Sequence, residues 1–363
     1  MATRKFAAEG SLHLYSSQAN PLYPSELYLP ERWPEMREGL EHCNIYLITR
    51  RRRIVPEPST LRVEAGWLHG DLHVRHGIGW VQVPFRYRLH EGHHAGAPDS
   101  VSITADGVGS YLIVQNHLRQ CIRLPTYALL AEAECDLGSA TDLEVLYIGQ
   151  GIGRTRSRIA VDRLVAHGKL QRILAETLTD APDAEVIVLM YRFEHSKMHV
   201  STGGDLTLEP TATAAEEVEH FRALHAVTFS RKQQIDLAEA ALIQHFQPPY
   251  NWTFVNSDFA AKRRMKLVNC LDAQDVTGLI VEISTSYLRS RLWSRSRRPV
   301  DIDDLFPAGF DASHIAQASS EDRARWQSDL HDMIHAQIAQ IALTTTEERN
   351  TFLHGMKWLD EST

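Results

Sequence analysis

Period-2 alternation dominates the first third of the chain. NIYLIT from residue 44, TLRVEAGW, DLHVRH, GWVQVPFRYRL, SVSITA and SYLIVQ are short runs rich in β-branched and aromatic residues. This is the pattern of strands whose successive side chains face opposite ways. PEPS, HG, EGHHAGAPDS and ADGVG separate them as turns, so about 44–120 is expected to form an antiparallel β module, a sandwich or a curled sheet. Ahead of it, residues 1–22 have no clear period and are expected to form an arm, and 31–42 a short helix.

The grammar changes near Thr126. YALLAEAEC reads as a strand, DLGSATD as a turn and LEVLYIG as a second strand, together a hairpin. A basic helical stretch (GRTRSRIAVDRLVAHGKLQRILAETL), an apolar strand (AEVIVLMYRFE) and a long helix from about Ala214 to His245 follow, and QPPYN stops the helix. Beyond 252 the tendency is helical, with basic clusters AKRRMK and RSRLWSRSRRP and a final helix pair at about 319–342 and 346–358. Three segments are expected: 1–125, β-rich with a short leading helix; 126–252, a small antiparallel sheet flanked by helices; and 253–363, helical. The fold class is α+β.

Two helical faces carry chemistry. Ile235, Glu239, Leu242 and Phe246 share one face of the long helix. A carboxylate in an apolar stripe is costly unless it is paired with a cation, either an arginine or a metal. On the basic helix, Ile159, Arg163 and His167 share a face. An arginine fork suits phosphate, although a solvated basic face has the same pattern. His167, ahead of Gly168, serves equally as a helix-end cap or a site residue.

Tyr147-Ile148-Gly149, Arg163 with His167, Lys169-Leu170-Gln171, the strand 185–193 and Glu239 through LI, F and PPYN to Asn251 occur in an order that resembles the GIY-YIG nuclease superfamily. The resemblance spans about 126–251. It implies a metal-dependent endonuclease acting on DNA with Mg2+ or Mn2+ held by Glu239. It further implies that Arg163 stabilises charge on the scissile phosphate, with Arg158 the runner-up because the spacing from YIG is longer than in the family. Tyr147 would orient or deprotonate the water, and Asn251 would shape the site. The family's first motif places a Tyr on the first hairpin strand. Pairing about the turn puts that position near Leu129–Ala131, where there is none, and Tyr127 is the nearest. The alternative is an inactive interaction module on the same fold. Cutting both strands needs two sites or one that acts twice, which a homodimer would supply.

The chain has 363 residues, 43% hydrophobic and 23% charged, so it is globular. The net charge of −8 excludes a general cationic coat. Charge is uneven: 126–251 is acidic by seven, whereas 253–300 is basic by five. No membrane span and no signal peptide are expected, and four scattered Cys suit a reduced cytoplasm. Other patterns are weaker. His90-Glu91-Gly92-His93-His94 fits HExxH, but sits in hairpin-loop grammar rather than on a helix. His69, His73 and His76 are expected at the surface, and Gly149 to Gly153 as a turn into the Arg helix rather than a nucleotide loop. Arg50 to Arg53 could grip phosphate or be solvated, and Trp293 could stack on bases or anchor a core.

Overall fold

Strands begin earlier than the pattern predicts. In the computed structural model, which describes residues 3–151, 160–202, 204–251, 271, 275–306 and 313–355, the expected arm forms β1 (Glu9–Gln18) and β2 (Asn20–Leu22). Leu12 and Leu14 are buried while His13 and Tyr15 alternate with them on the other face. A 3-10 helix at Pro24–Glu31 and α1 (Pro34–Leu40) lead into β3 (Ile45–Arg52).

The next elements form an inserted β unit around its own core of Leu68, Leu72, Phe85, Leu112 and Val114. They are β4 (Ile54–Pro56), β5 (Arg62–Glu64), β6 (Trp67–His76), β7 (Gly79–Arg88), α2 (Glu91–His94), β8 (Ser102–Ala105), β9 (Tyr111–Gln115), β10 (Cys121–Pro125) and α3 (Thr126–Glu132). The last of these corrects the expected hairpin. YALLAE is a helix, because Thr126, Leu129 and Leu130 at i, i+3 and i+4 bury one face and Ala, Leu and Glu favour helix.

The chain then gives β11 (Leu143–Gln150), α4 (Ala160–Val165), α5 (Gly168–Asp180), β12 (Ala184–Tyr191), β13 (Phe193–Ser201), α6 (Ala214–Ala226) and α7 (Arg231–Phe246). The single long helix expected over 214–245 is two. Ser230 starts α7 with a capping box to Gln233, a signal inside the apolar periodicity. Downstream come β14 (Val276–Ser284), β15 (Leu292–Trp293), a helix at Ser320–Ile334 and β16 (Ala336–Ala342). The C-terminal segment is therefore not simply helical: AQIAQIA alternates buried Gln337 and Ala339 with less buried neighbours and pairs with β14. The cluster AKRRMK lies outside the described residues.

The molecule is mixed α and β with several sheets. A five-stranded sheet runs β15-β11-β3-β12-β2, antiparallel except for β11 with β15. A four-stranded sheet runs β13-β1-β14-β16. The main core lies between these two sheets and α7, with Leu14, Leu47, Ile148, Leu189, Leu242 and Phe246 inside it. A second core fills the other face of the five-stranded sheet beneath α4 and α5. Strands from all three expected segments share these sheets. Among the described residues no helix is long and apolar enough to cross a membrane.

Candidate active site

The strand opposite YIG is β3. Gly149 faces Tyr46 in the antiparallel register and Tyr147 faces Ile48. A register shift between Val145 and Tyr147 turns Tyr147 to the same face as Tyr46, and both enter the second core. Their ring centroids are 6.2 Å apart. The tyrosine on the strand opposite YIG is Tyr46, in the NIYLIT run, and the inserted β unit separates it from Tyr147. Gly149 makes this possible: a Cβ there would lie 2.6 Å from the Tyr46 hydroxyl. Gly151 does the same for the following helix, since a Cβ would lie 2.3 Å from the Ala160 Cα.

Tyr127 is elsewhere. It stands on α3 and its hydroxyl donates to buried Glu26 at 2.9 Å, beside Tyr23. The expected substitution of Tyr127 for a first-strand tyrosine is corrected accordingly. Arg158 and Ile159 lie outside the described residues.

Arg163, near the end of α4, donates to the Gln150 carbonyl at 2.8 Å and acts electrostatically on both Tyr46 and Tyr147. His167, the N-cap position of α5, makes no capping bond and lies 5.3 Å from the Tyr147 ring and 6.1 Å from Tyr46. Glu239 is buried on α7 together with Ile235, Leu242 and Phe246, the face the spacing predicts. The Gln150 amide donates to Glu239 at 2.7 Å and to Asp236 at 2.9 Å, and Asp236 also takes Lys232 at 2.7 Å.

Asn251 acts on the backbone of the YIG strand. It accepts from the Ile148 N–H at 2.9 Å and donates to the Ile148 carbonyl at 2.8 Å, so it locks the turn after α7 to the YIG strand.

Burial is the main influence on the titrating groups. It pushes the Tyr46 and Tyr147 hydroxyls up, helped by Tyr147 for the first and Glu239 for the second, while Arg163 opposes both. Burial, then Arg163 and Lys169, push His167 down, so it is neutral at pH 7. The Tyr46 and Tyr147 hydroxyls act on each other, whereas among the described residues His167 Nδ1 and Gln150 Oε1 are buried without a hydrogen-bond partner. Two such atoms in one site are costly.

Among the described residues no three His, Cys, Asp or Glu side chains form a ready-made metal group. A hard cation needs few protein ligands where phosphate and water supply the rest. The Glu239 carboxylate with the neighbouring Asp236 fits that requirement, and Gln150 presents its amide N–H to both.

Beside the site, a cavity of about 610 Å³ is lined by Leu146, Lys169, Arg172, Tyr250 and Arg295 among others. Lys169 and Arg295 have no ion pair among the described residues. Arg50 pairs with Glu144 and Arg51 with Glu185, the latter pair almost wholly buried, so half of the Arg50–Arg53 run ties strands together. Trp293 is half-buried on β15. Glu91, His93 and His94 stand on a short helix, α2, with His90 at its extended N-cap, and the three histidine rings are engaged locally: His90 with Glu132, His93 with the His90 N–H, His94 with the Gly96 N–H.

No family model matches the chain, and neither a curated protein nor a solved structure matches it.

Proposed function

We propose that the chain is a metal-dependent endonuclease of GIY-YIG type that hydrolyses phosphodiester bonds of DNA. The observation that carries this reading is the convergence of Tyr46, Tyr147, Arg163, His167 and Glu239, from five elements, around Gly149. Tyr46 supplies the tyrosine that the family's first motif requires. Glu239, with Gln150 and Asp236 beside it, would hold Mg2+ or Mn2+, which when bound polarises the scissile phosphate.

The chain's own groups supply the rest. Arg163 is placed to stabilise charge on the phosphate oxygens. Tyr46 and Tyr147 keep their protons at neutral pH, so they orient the attacking water by hydrogen bonds rather than deprotonate it. His167 is neutral with an unpartnered Nδ1, and it takes the proton as the water oxygen bonds to phosphorus and the phosphate–oxygen bond to the leaving group breaks. Lys169 and Arg295 offer phosphate contacts for the flanking strand.

The test is cleavage of plasmid DNA with Mg2+ or Mn2+ by the wild type, Glu239→Ala and Arg163→Ala. The wild type is expected to cut, with Arg163→Ala lower by about 10²–10³-fold and Glu239→Ala silent. A wild type that cuts with neither ion sinks the reading and leaves an inactive binding module. Double-strand cutting would be served by a homodimer or by one site acting twice, which light scattering in the presence of DNA would distinguish.

A further inference from the structure

The inserted β unit carries an excess of acid, nine Asp and Glu against six Arg over 54–141. Four of those six arginines nevertheless stand on one face. In the β6–β7 ribbon Leu68, Leu72 and Val74 point into the unit's core, so their neighbours point outward. Across the ladder Trp67 pairs with Arg88, His69 with Arg86, and Arg75 with Trp80, while Arg62 of β5 stands beside His69. Arg75 lies over Trp80 at 5.0 Å, and Arg86 over Trp67 at 5.1 Å. Glu64 and Asp71 of this face are acidic, Glu57 pairs with His73 on it at 3.3 Å, and Glu134 reaches Arg86 from outside it.

The ribbon's end is apolar and uncovered. Ile78 is 99% exposed between Gly77 and Gly79, and Trp80 and Val81 beside it are about half exposed. Among the described residues β7 pairs on its outer edge only through Arg86 with Glu134, which leaves the N–H groups nearer the tip facing outward.

We propose that this ribbon is a groove-binding arm for duplex DNA, with its arginines on the phosphates and Ile78 as a wedge at a base step. Two-stranded β ribbons enter DNA grooves, and an apolar side chain inserted at a base step from the minor groove kinks the duplex. The face holds four of the unit's six arginines, with Arg75 and Arg86 laid over tryptophan rings, the pairing of guanidinium and aromatic that phosphate and base edges accept. The proposal takes DNA as the ligand from the reading above but does not need cleavage.

Full-length protein in EDTA, where cutting cannot intervene, is titrated into a labelled duplex at several salt concentrations. Arg75→Ala/Arg88→Ala is expected to weaken binding about tenfold and to lower the salt slope by roughly two. Ile78→Gly is expected to reduce the bend read by energy transfer between the duplex ends. Both variants are at the surface, and circular dichroism checks that they fold. Unchanged affinity and slope in the double variant overturn the arm. An equal loss on a single strand of the same length overturns the duplex assignment. Loss of a protein dimer with DNA binding intact assigns the face to a protein partner instead. A wild type that fails to cut while the ribbon effect persists ends the nuclease reading and leaves this one standing.

Discussion

His167 decides how the proposed site would respond to pH. An ordinary histidine titrates near 6.5, and burial, Arg163 and Lys169 all push His167 below that. The neutral form, the one able to take a proton, therefore predominates at pH 7 and is lost as pH falls through the lowered value. The acid limb of kcat/KM is expected below about pH 6.5, and His167→Gln is expected to remove that limb along with most of the rate. A limb above 7 would assign the proton to another group. Tyr46→Phe separates the two roles: it removes the orienting hydroxyl but leaves the acid limb in place, with a loss of about 10²-fold.

The turn after α7 and the strand β11 are held as a unit by Asn251. Its side chain satisfies both backbone groups of Ile148, inside a region where water cannot replace them. Asn251→Ala leaves a donor and an acceptor unmet and is expected to cost about 2–4 kcal/mol, read as a lower urea midpoint, and Asn251→Asp, which sets a buried carboxylate oxygen against the Ile148 carbonyl, is expected to cost at least as much. If Asn251→Ala unfolds like the wild type, the lock is not structural.

At this scale too lies the difference between what the pattern showed and what it hid. The burial of Glu239, the strand carrying Tyr147 and the turn at PPYN were legible, because each is a local pattern of a few residues. The run containing Tyr46 was legible as a strand, but not as the partner of YIG. Pairing across an inserted unit is a long-range choice, and the nearer YALLAE offered a false partner whose i, i+3, i+4 burial made it a helix. The C-terminal strands were hidden for a similar reason: AQIAQIA is short, carries no β-branched residue except Ile, and becomes a strand only because β14 offers its edge.

On the scale of the whole molecule, the two ends of the chain close the four-stranded sheet together. β1 lies between β13 and β14, and the Asn350 N–H donates to the Thr3 carbonyl at 2.6 Å. Arg349 binds both oxygens of Glu9 at 2.9 and 2.8 Å and reaches Asp275 at 2.9 Å, so one side chain joins the first strand, the start of β14 and the C-terminal segment. Arg349 holds the Asp275 carboxyl below the ordinary range against the effect of burial. Glu9 is almost fully buried, whereas Asp275 keeps contact with water and with Lys5. Removing the arginine therefore strands one carboxylate rather than two. Arg349→Met is expected to cost about 3–5 kcal/mol, because it leaves the buried Glu9 carboxylate without its arginine, with only the Thr277 hydroxyl at 3.5 Å beside it among the described residues. Adding Glu9→Met removes the stranded charge, and the double variant is expected to recover much of that loss, since well-packed apolar residues often replace a buried pair without penalty. Urea unfolding of the single and double variants measures both. Equal losses would mean that Arg349 contributes packing rather than neutralising Glu9. The unfolding slope is expected to stay constant between them, as the sheet that Arg349 closes is part of the same cooperative core as β3 and β11.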